Sequence, residues 1–141
     1  MSRYRIFLVD TGILVAFFNR SDRYHAQVYS FIGNSTSIMV TTVACITETL
    51  YLLPRSTRVQ NDLLLMLAQG IIECERLEHQ DFTRIAQLNI QYADMNPDFA
   101  DLTLVAISER LDIEAIATLD KDFDIYRRYR KQPFERVFLP A

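Results

Sequence analysis

Apolar residues along this chain alternate between short runs of strand length and longer stretches with helical spacing. The strand-like runs lie at residues 6–9, 38–41, 71–74, 115–118 and 136–139. Helical patterns lie at 13–18, from about residue 22 onward, and at 43–53, 59–69, 80–93 and 98–111. Strands that alternate with helices predict a mainly parallel sheet covered by helices on both faces. We therefore expect one three-layer α/β/α domain over residues 1–141, with four to five strands.

Local signals place several of the expected element ends. Asp22 is a suitable N-cap for the second helix, and Pro54 helps to stop the helix before it. Gly70 interrupts the helical pattern ahead of residues 71–74, which we expect to form an edge strand. The pattern contains no repeat, linker or low-complexity segment.

Four carboxylates stand far apart in the sequence, at the ends of predicted strands or on predicted helices: Asp10, Glu48, Asp101 and Asp120. Asp10 and Asp120 follow strands, and open α/β sheets bind ligands at the carboxyl ends of their strands. Glu48 lies on a helix that is apolar nearly all round, so we expect its side chain to point inward. Asp98 and Asp101 are three residues apart and share one face of the helix predicted at 98–111.

Converging carboxylates need a counter-charge, because like charges a few ångströms apart raise one another's pKa. Hard divalent cations such as Mg²⁺ prefer oxygen ligands and often act on phosphates. The pattern therefore favours a metal-dependent nuclease or phosphoryl-transfer site.

Each acid also has a simpler structural interpretation. Asp10 and Asp98 could only cap the helices that follow them. Glu48 could lie on an exposed helix face. The alternation of Asp120, Asp122 and Asp124 could be a polar loop. The joint placement of the acids at strand ends and on one inward helical position favours a shared site.

Composition limits the remaining possibilities. The net charge is −3 over 141 residues, so nucleic acid would have to be bound locally rather than by bulk positive charge. Cys45 and Cys74 lack the spacing of a zinc site or a disulfide framework. The apolar run before Asp10 is too short for a signal peptide. These features lead us to expect a cytoplasmic protein.

Other acidic motifs fit poorly. An EF-hand loop starting at Asp120 would need Gly at its sixth position and Glu at its twelfth, where this chain has Ile125 and Lys131. A phosphatase with an aspartyl nucleophile would carry a second acid where this chain has Gly12. A phospho-receiver domain would need paired acids after the first strand, and these are not evident.

The chain resembles the PIN domain family, the small nuclease module of VapC-type toxins, over essentially its whole length. The motifs that carry this resemblance are LVDTG at 8–12, ITETLYLLP at 46–54, FADLTLVAISERL at 99–111 and ATLDKDF at 117–123. Each motif is short and weakly specific, but their order and spacing are typical of the family.

The resemblance implies which residues form the site. Asp10, Glu48, Asp101 and Asp120 match the family's acidic metal-binding positions, and Asp98 matches an additional acid of many members. Asp122 is a rival to Asp120 if the last motif is shifted. Thr11 and Thr118 match small hydroxyl residues that support such sites.

The resemblance also implies an activity and partners. It indicates an endoribonuclease dependent on Mg²⁺ or Mn²⁺ that cuts RNA, with tRNA or rRNA as candidate substrates, restrained by an antitoxin and forming a homodimer. The alternative is a PIN-like module that binds RNA or protein without cutting. In either case RNA needs positive charge, and Arg127, Arg128 and Arg130 are the first candidates. Arg20 with Arg23, or Arg55 with Arg58, are equally suitable.

Overall fold

A computed structural model describes residues 4–141 of the chain; residues 1–3 of the N-terminal segment lie outside this range. The strands are β1 (Ile6–Val9), β2 (Ile38–Thr42), β3 (Ile72–Glu75), β4 (Ala115–Ala117), β5 (Arg127–Arg128), β6 (Gln132–Pro133) and β7 (Glu135–Phe138). Within the described range, five of them form a sheet in the order β3-β2-β1-β4-β7, and all its neighbouring pairs are parallel. The predicted parallel sheet is confirmed, with β3 at its edge.

Six α-helices connect the strands within residues 4–141. They are α1 (Thr11–Phe18), α2 (His25–Gly33), α3 (Val43–Leu52), α4 (Thr57–Ala68), α5 (His79–Gln91) and α6 (Phe99–Arg110). Helix α1 packs against α2 and α4, and α5 packs against α6. Because α3 contacts both α1 and α6, it connects the helix pair α1 and α2 with the helix pair α5 and α6. The expected three-layer α/β/α architecture is confirmed.

Strand β1 occupies the centre of the sheet, with β2 on one side and β4 on the other. The chain builds outward from β1 to β2 and β3, and then returns through α5 and α6 to β4. The chain therefore places β2 and β3 on one side of β1, and β4 and β7 on the other. Such a change of side opens a crevice at the carboxyl ends of β1 and β4, where α/β proteins bind ligands. Asp10 and Thr118 stand at these two ends.

Helix α6 runs through the core and carries Asp101 near its amino end. Residues 102–108 are all buried, because the helix contacts α5 on one side and α3, β2 and β5 on others. A helix that is apolar nearly all round is expected to be buried in this way. The position of Asp101 is thus fixed by the packing of the whole helix.

Most predicted elements agree with the structure to within one or two residues at each end. The break at Gly70 is confirmed, since this residue has a φ of 74° between α4 and β3, a conformation that glycine adopts without strain. The predicted N-cap at Asp22 is wrong. Its Oδ1 accepts a hydrogen bond from Tyr24 N–H at 2.8 Å, which forms a local turn, and α2 begins at His25.

The basic segment near the C-terminus forms a small hairpin, in which β5 and β6 pair antiparallel. Arg128 is only 2% exposed. Its guanidinium donates to Ser108 O at 3.1 Å and to the Asp112 carboxylate at 2.9 Å. The expectation that Arg128 contacts RNA is therefore corrected: its side chain fastens the hairpin to the end of α6, because a buried guanidinium needs acceptors.

Among the described residues, none of the helices combines the length and the apolar character needed to cross a bilayer.

Candidate active site

Asp10 follows β1 directly and is 3% exposed. Its Oδ1 accepts a hydrogen bond from Ile13 N–H at 3.1 Å, so it is the N-cap of α1. Its Oδ2 accepts a hydrogen bond from the Thr118 hydroxyl. Asp10 therefore caps a helix and faces the crevice at the same time, and the two interpretations of this residue are compatible.

Thr118 connects the ends of β1 and β4. Its hydroxyl donates to Asp10 and accepts from Asp120 N–H at 2.8 Å. Asp120 Oδ1 in turn accepts from Asp122 N–H at 2.9 Å, which starts a short 3₁₀ helix over Lys121–Asp124. These bonds hold the chain after β4 in one conformation, so that the acids of this segment are positioned before any ligand binds.

Among the described residues, Asp101, Asp120 and Asp122 form a cluster of three acids close enough to hold one metal ion. One carboxylate oxygen of each lies within 4.8 Å of the others. Sequence reasoning treated Asp122 as a rival to Asp120, but the structure places both acids in the same cluster. The short 3₁₀ helix after β4 explains this, because it folds residues 120 and 122 toward one side.

A cleft of about 480 Å³ contains all five acids assigned from the sequence. They are Asp10, Glu48, Asp98, Asp101 and Asp120. Asp98 is exposed and occupies the N-cap position of α6, but its side chain makes no capping hydrogen bond. Glu48 comes from α3 and is partly exposed rather than turned into the core; among the described residues it has no hydrogen-bond partner.

Burial and neighbouring acids destabilise the charged forms of Asp10 and Asp101. Burial, followed by the nearby Asp120, Asp10, Asp98 and Glu48, raises the pKa of Asp101 to about 8. Burial also raises the pKa of Asp10 to about 6, although the hydrogen bonds from Thr118 and Ile13 oppose this shift. Arg136 is the cation that lowers the pKa of Asp10. One guanidinium does not balance the six carboxylates that line the cleft, which include Asp22, so the cleft has an excess of negative charge.

The donor set of the cleft fits a hard divalent cation. It offers several carboxylate oxygens in close proximity, which is the chemistry that Mg²⁺ and Mn²⁺ bind. The buried Thr11 hydroxyl, which lines the same cleft, has no hydrogen-bond partner among residues 4–141. A buried hydroxyl is rarely left unpaired, and an ion with its bound water would provide the missing partner.

The PIN domain family model matches residues 7–129 of this chain. The chain belongs to the PIN domain family. All five assigned acids of the PIN domain, together with Asp122, lie within the matched range, whereas β7 and Arg136 lie beyond it.

Known proteins similar to this PIN domain include Ribonuclease VapC26 of Mycobacterium tuberculosis (strain ATCC 25618 / H37Rv). The two are 27% identical over 116 residues, which cover 81% of this chain and 86% of that protein.

Solved structures support the fold. Mycobacterium tuberculosis VapC20, described as a Sarcin-Ricin loop cleaving toxin, has a TM-score of 0.76 at 19% identity and covers 85% of this chain and 93% of its own. VapBC2 from Rickettsia felis, bound to a DNA fragment from their promoter, has a TM-score of 0.64 at 14% identity, with coverages of 93% and 98%. DNA-bound VapBC from Salmonella typhimurium has a TM-score of 0.60 at 12% identity, with coverages of 94% and 98%.

A second, mostly apolar groove of about 910 Å³ lies beside the cleft of this PIN domain and shares Glu48 and Asp98 with it. Its apolar side chains come from α3, α5 and the start of α6. Those that are half-exposed or more are Val43, Tyr51, Phe82 and Phe99. Tyr51 is 82% exposed. The groove was not anticipated from the sequence, because its residues are distant along the chain.

The other arginines of the hairpin differ in whether their guanidinium groups are already bonded within the chain. Nη1 of Arg127 donates to the carbonyls of Asp124, Ile125 and Tyr126. Arg130 is exposed, and its guanidinium lies 5.8 Å from the centroid of the Tyr129 ring. None of the residues 127–131 lines the acidic cleft. Of the three arginines named from the sequence, Arg130 alone is exposed and makes no bond to a backbone carbonyl in the part of the chain that the structure describes.

Proposed function

We propose that this PIN-domain chain is a metal-dependent endoribonuclease that hydrolyses phosphodiester bonds in RNA. The observation that carries the proposal is the convergence of acids from β1, α3, α6 and the segment after β4 in one cleft. A structural role for these acids would give them cationic partners. Here burial, followed by repulsion from the neighbouring acids, raises the pKa of Asp101 to about 8.

In this proposal the acids divide into two groups. Asp101 and Asp120, with Asp122 added by its position in the cluster, hold the cation directly. Asp10, Glu48 and Asp98 line the same cleft and act as further ligands, directly or through water. The catalytic set is Asp10, Glu48, Asp101 and Asp120. The ion is Mg²⁺ or Mn²⁺, since both prefer the oxygen donors that this cleft provides.

When bound, a divalent cation lowers the pKa of its water and neutralises charge on the reacting phosphate. The protein holds the acidic side chains in place around the ion. Thr118 fixes the Asp10 carboxylate and the start of the 3₁₀ helix by two hydrogen bonds, so little rearrangement is needed in the reaction. Glu48, which has no hydrogen-bond partner among the described residues, is free to accept a bond from the attacking water and to orient it.

Similarity to Ribonuclease VapC26 supports RNA as the substrate class, because that protein is named as a ribonuclease. The VapC20 structure is described as that of a toxin that cleaves the Sarcin-Ricin loop. On this basis we propose that the present chain is a toxin of the VapBC type and that its substrate is a defined loop in rRNA or tRNA.

We further propose an antitoxin partner, a homodimeric state and a cytoplasmic location. Two of the similar structures are VapBC complexes, which supports a partner protein. The exposed aromatic and aliphatic side chains of the apolar groove also support contact with a second chain, since exposed apolar patches of this kind usually mark protein interfaces.

The proposed activity is tested by cleavage of end-labelled tRNA, rRNA fragments and unstructured RNA with Mn²⁺ or Mg²⁺, with and without chelator. We expect metal-dependent internal cleavage by the wild type and a loss of at least about 100-fold in Asp101→Asn, as is typical when a group that stabilises the transition state is removed. Asp94→Asn is the matched control, because Asp94 is exposed and does not line the cleft.

The alternative, a PIN-like module that binds without cutting, makes the opposite prediction. RNA binding would persist with no cleavage by the wild type at any metal concentration, and Asp101→Asn would change the stability of the protein without changing its response to metal. Equal activity of Asp101→Asn and Asp94→Asn would also contradict the catalytic assignment.

The assembly is tested separately by measuring the solution mass of the purified chain, alone and after coproduction with the product of a neighbouring gene. A mass of twice the chain would support the homodimer. A stable complex that suppresses cleavage would support the antitoxin, whereas an active, uninhibited monomer would contradict both.

A further inference from the structure

An RNA nuclease with this cleft needs positive charge close to the acids. Six carboxylates line the cleft, those of the five assigned acids and of Asp22, and they repel the phosphates of RNA except where a cation is bound. The hairpin at residues 127–133 was the first candidate for this role, but Arg128 is buried there and Arg127 donates to three carbonyls. Arg130 is exposed, but none of residues 127–131 lines the cleft. We therefore look for positive charge on an element that does line it.

The loop between α1 and α2, residues 19–24, lies directly at the cleft. Asp22 and Tyr24 line it together with Asp10, Glu48 and Asp120. Arg23 is exposed, and its guanidinium carbon lies 5.3 Å from the centroid of the Tyr24 ring. A guanidinium over a tyrosine ring is a favourable cation–π pair that orients both groups. The loop thus presents one positive charge and one aromatic ring at the edge of the cleft.

Hydrogen bonds fix this loop. Asp22 N–H donates to Asn19 O at 2.9 Å, and Asp22 Oδ1 accepts from Tyr24 N–H at 2.8 Å. Asn19 Oδ1 accepts from Ser21 N–H at 3.1 Å. The His25 ring bonds to Ala16 O at 2.8 Å, so the start of α2 is attached to α1. A loop held by this many local bonds binds a ligand without a large ordering cost.

The same loop also lines a second cavity, of about 610 Å³, through Asn19, Arg20 and Ser21. Arg58 and Asp62 line this cavity as well, and the Phe17 and Tyr29 rings in its lining are stacked with centroids 5.4 Å apart. Arg20, Arg23 and Arg58 form no ion pair with any residue of the range 4–141, so their charges are available. Single-stranded nucleic acid is bound by this combination, with arginines on phosphates and aromatic rings on bases.

We infer that the loop at residues 19–24 is the subsite that holds a single-stranded RNA segment next to the scissile phosphodiester. Tyr24 stacks on a base, Arg23 contacts the phosphate beside it, and Arg20 contacts the next phosphate. A paired helix does not present its bases for stacking, so the subsite selects loops and unpaired segments. This inference rests on the proposed nuclease function and adds a substrate-positioning element to it.

The test measures RNA binding in the Asp101→Asn background, so that cleavage does not intervene. The probes are a short labelled single-stranded RNA of mixed sequence and a blunt duplex of the same sequence. We expect Tyr24→Leu to weaken binding of the single strand roughly ten-fold, as removal of one stacking ring does, and Tyr24→Phe to restore it. Thermal unfolding of each variant checks that α2 still forms.

The charge contribution is measured by the salt dependence of binding. We expect Arg23→Ala to lower the slope of log K against log salt by about 0.7, the value for one phosphate contact on a single strand. Arg5→Ala is the matched control, since Arg5 is exposed at the amino end of β1, away from the carboxyl end where Asp10 lies. It should leave the slope unchanged.

The outcomes separate this inference from the proposed function. If wild type cuts RNA while Tyr24→Leu and Arg23→Ala bind with unchanged affinity and salt slope, the subsite is wrong and the nuclease stands. If these variants lose binding while wild type never cuts, the loop is an RNA-binding site, but the proposed catalysis is wrong and with it the placement of the site beside a scissile bond. Equal binding of duplex and single strand would also overturn the inference. So would an effect of Arg5→Ala as large as that of Arg23→Ala. A third contrary result would be that the Tyr24 and Arg23 variants lose binding to a protein partner but still bind RNA.

Discussion

At the scale of single residues, the cleft depends on one hydroxyl that serves two acids. Thr118 donates to Asp10 and accepts from the backbone of Asp120. Thr118 is fully buried, so neither bond can be replaced by water without rearrangement. A buried polar group that loses its partner costs about 1–3 kcal/mol.

We therefore expect Thr118→Val to lower the free energy of unfolding by about 1–3 kcal/mol, because Asp10 and the Asp120 amide each lose a partner. Urea denaturation with chelator present measures this change. Thr118→Ser keeps the hydroxyl and should recover most of the loss. If Thr118→Val and Thr118→Ser were equally stable, the hydroxyl would not have the role described here.

The raised pKa values of Asp10 and Asp101 predict how stability depends on pH. In the unfolded chain both carboxyls lose their protons near pH 3.8, whereas in the folded protein Asp10 keeps its proton until about 6 and Asp101 until about 8. The folded state binds more protons in this window. The free energy of unfolding of the metal-free protein therefore falls as pH rises from about 4 to about 8.

Asp101→Asn removes the larger of these two effects. Without metal, this variant should be more stable than wild type at pH 8 by roughly 1–3 kcal/mol, which is less than the full shift because the side chain keeps some exposure to solvent. At pH 4 the two proteins should be alike. Thermal unfolding at both pH values measures the difference, and a variant that is less stable than wild type at pH 8 would contradict the assigned effect of burial and repulsion on Asp101.

At the scale of elements, the hairpin formed by β5 and β6 illustrates how tertiary contacts change the meaning of a basic segment. Arg127, Arg128 and Arg130 are neighbours in sequence, but one donates to nearby carbonyls, one is buried and one is exposed. The bond from Arg128 to Ser108 O attaches the hairpin to the end of α6, and this same helix carries Asp101.

Alanine substitutions at two of these arginines should therefore differ. Arg128→Ala should lower the free energy of unfolding by about 1–3 kcal/mol, because Ser108 O loses its donor in a buried place. Arg130→Ala should change it by no more than about 0.5 kcal/mol, as is usual for exposed positions. Denaturation of both variants under one condition makes the comparison. Equal effects would mean that the contact between the hairpin and α6 has no importance for stability.

At the scale of the whole molecule, the net charge of −3 is less informative than its distribution. The cleft concentrates carboxylates at the carboxyl ends of the central strands β1 and β4. A bound cation would remove their repulsion. Ligands that bind only the folded state stabilise it by mass action.

We expect Mn²⁺ at about 100 times its dissociation constant to raise the free energy of unfolding by about 2.7 kcal/mol. Asp101→Asn should largely lose this increase, and Asp94→Asn should keep it. Chelator should reverse it. Calorimetric unfolding with and without Mn²⁺ measures the effect, and an increase of the same size in Asp101→Asn would place the ion elsewhere.

The fold was largely predictable because the periodicity of apolar residues is a local property. The strands of the sheet and the helix over Phe99–Arg110 follow from it. The start of α2 was not predictable in this way, since Asp22 could cap a helix or close a turn, and the choice depends on how α2 packs against α1. The same uncertainty applied to Asp98, which occupies an N-cap position without a capping bond.

The sequence predicted the alternation of the sheet strands with helices and the acids that could meet at the carboxyl ends of β1 and β4. Three features became known only from the packing of the folded chain: Asp122 joins Asp101 and Asp120, Glu48 opens to the cleft, and Arg128 is buried whereas Arg23 is exposed next to Tyr24, which lines the cleft. The physical reason is that secondary structure follows from neighbours along the chain. The direction and burial of a side chain follow from packing between distant segments.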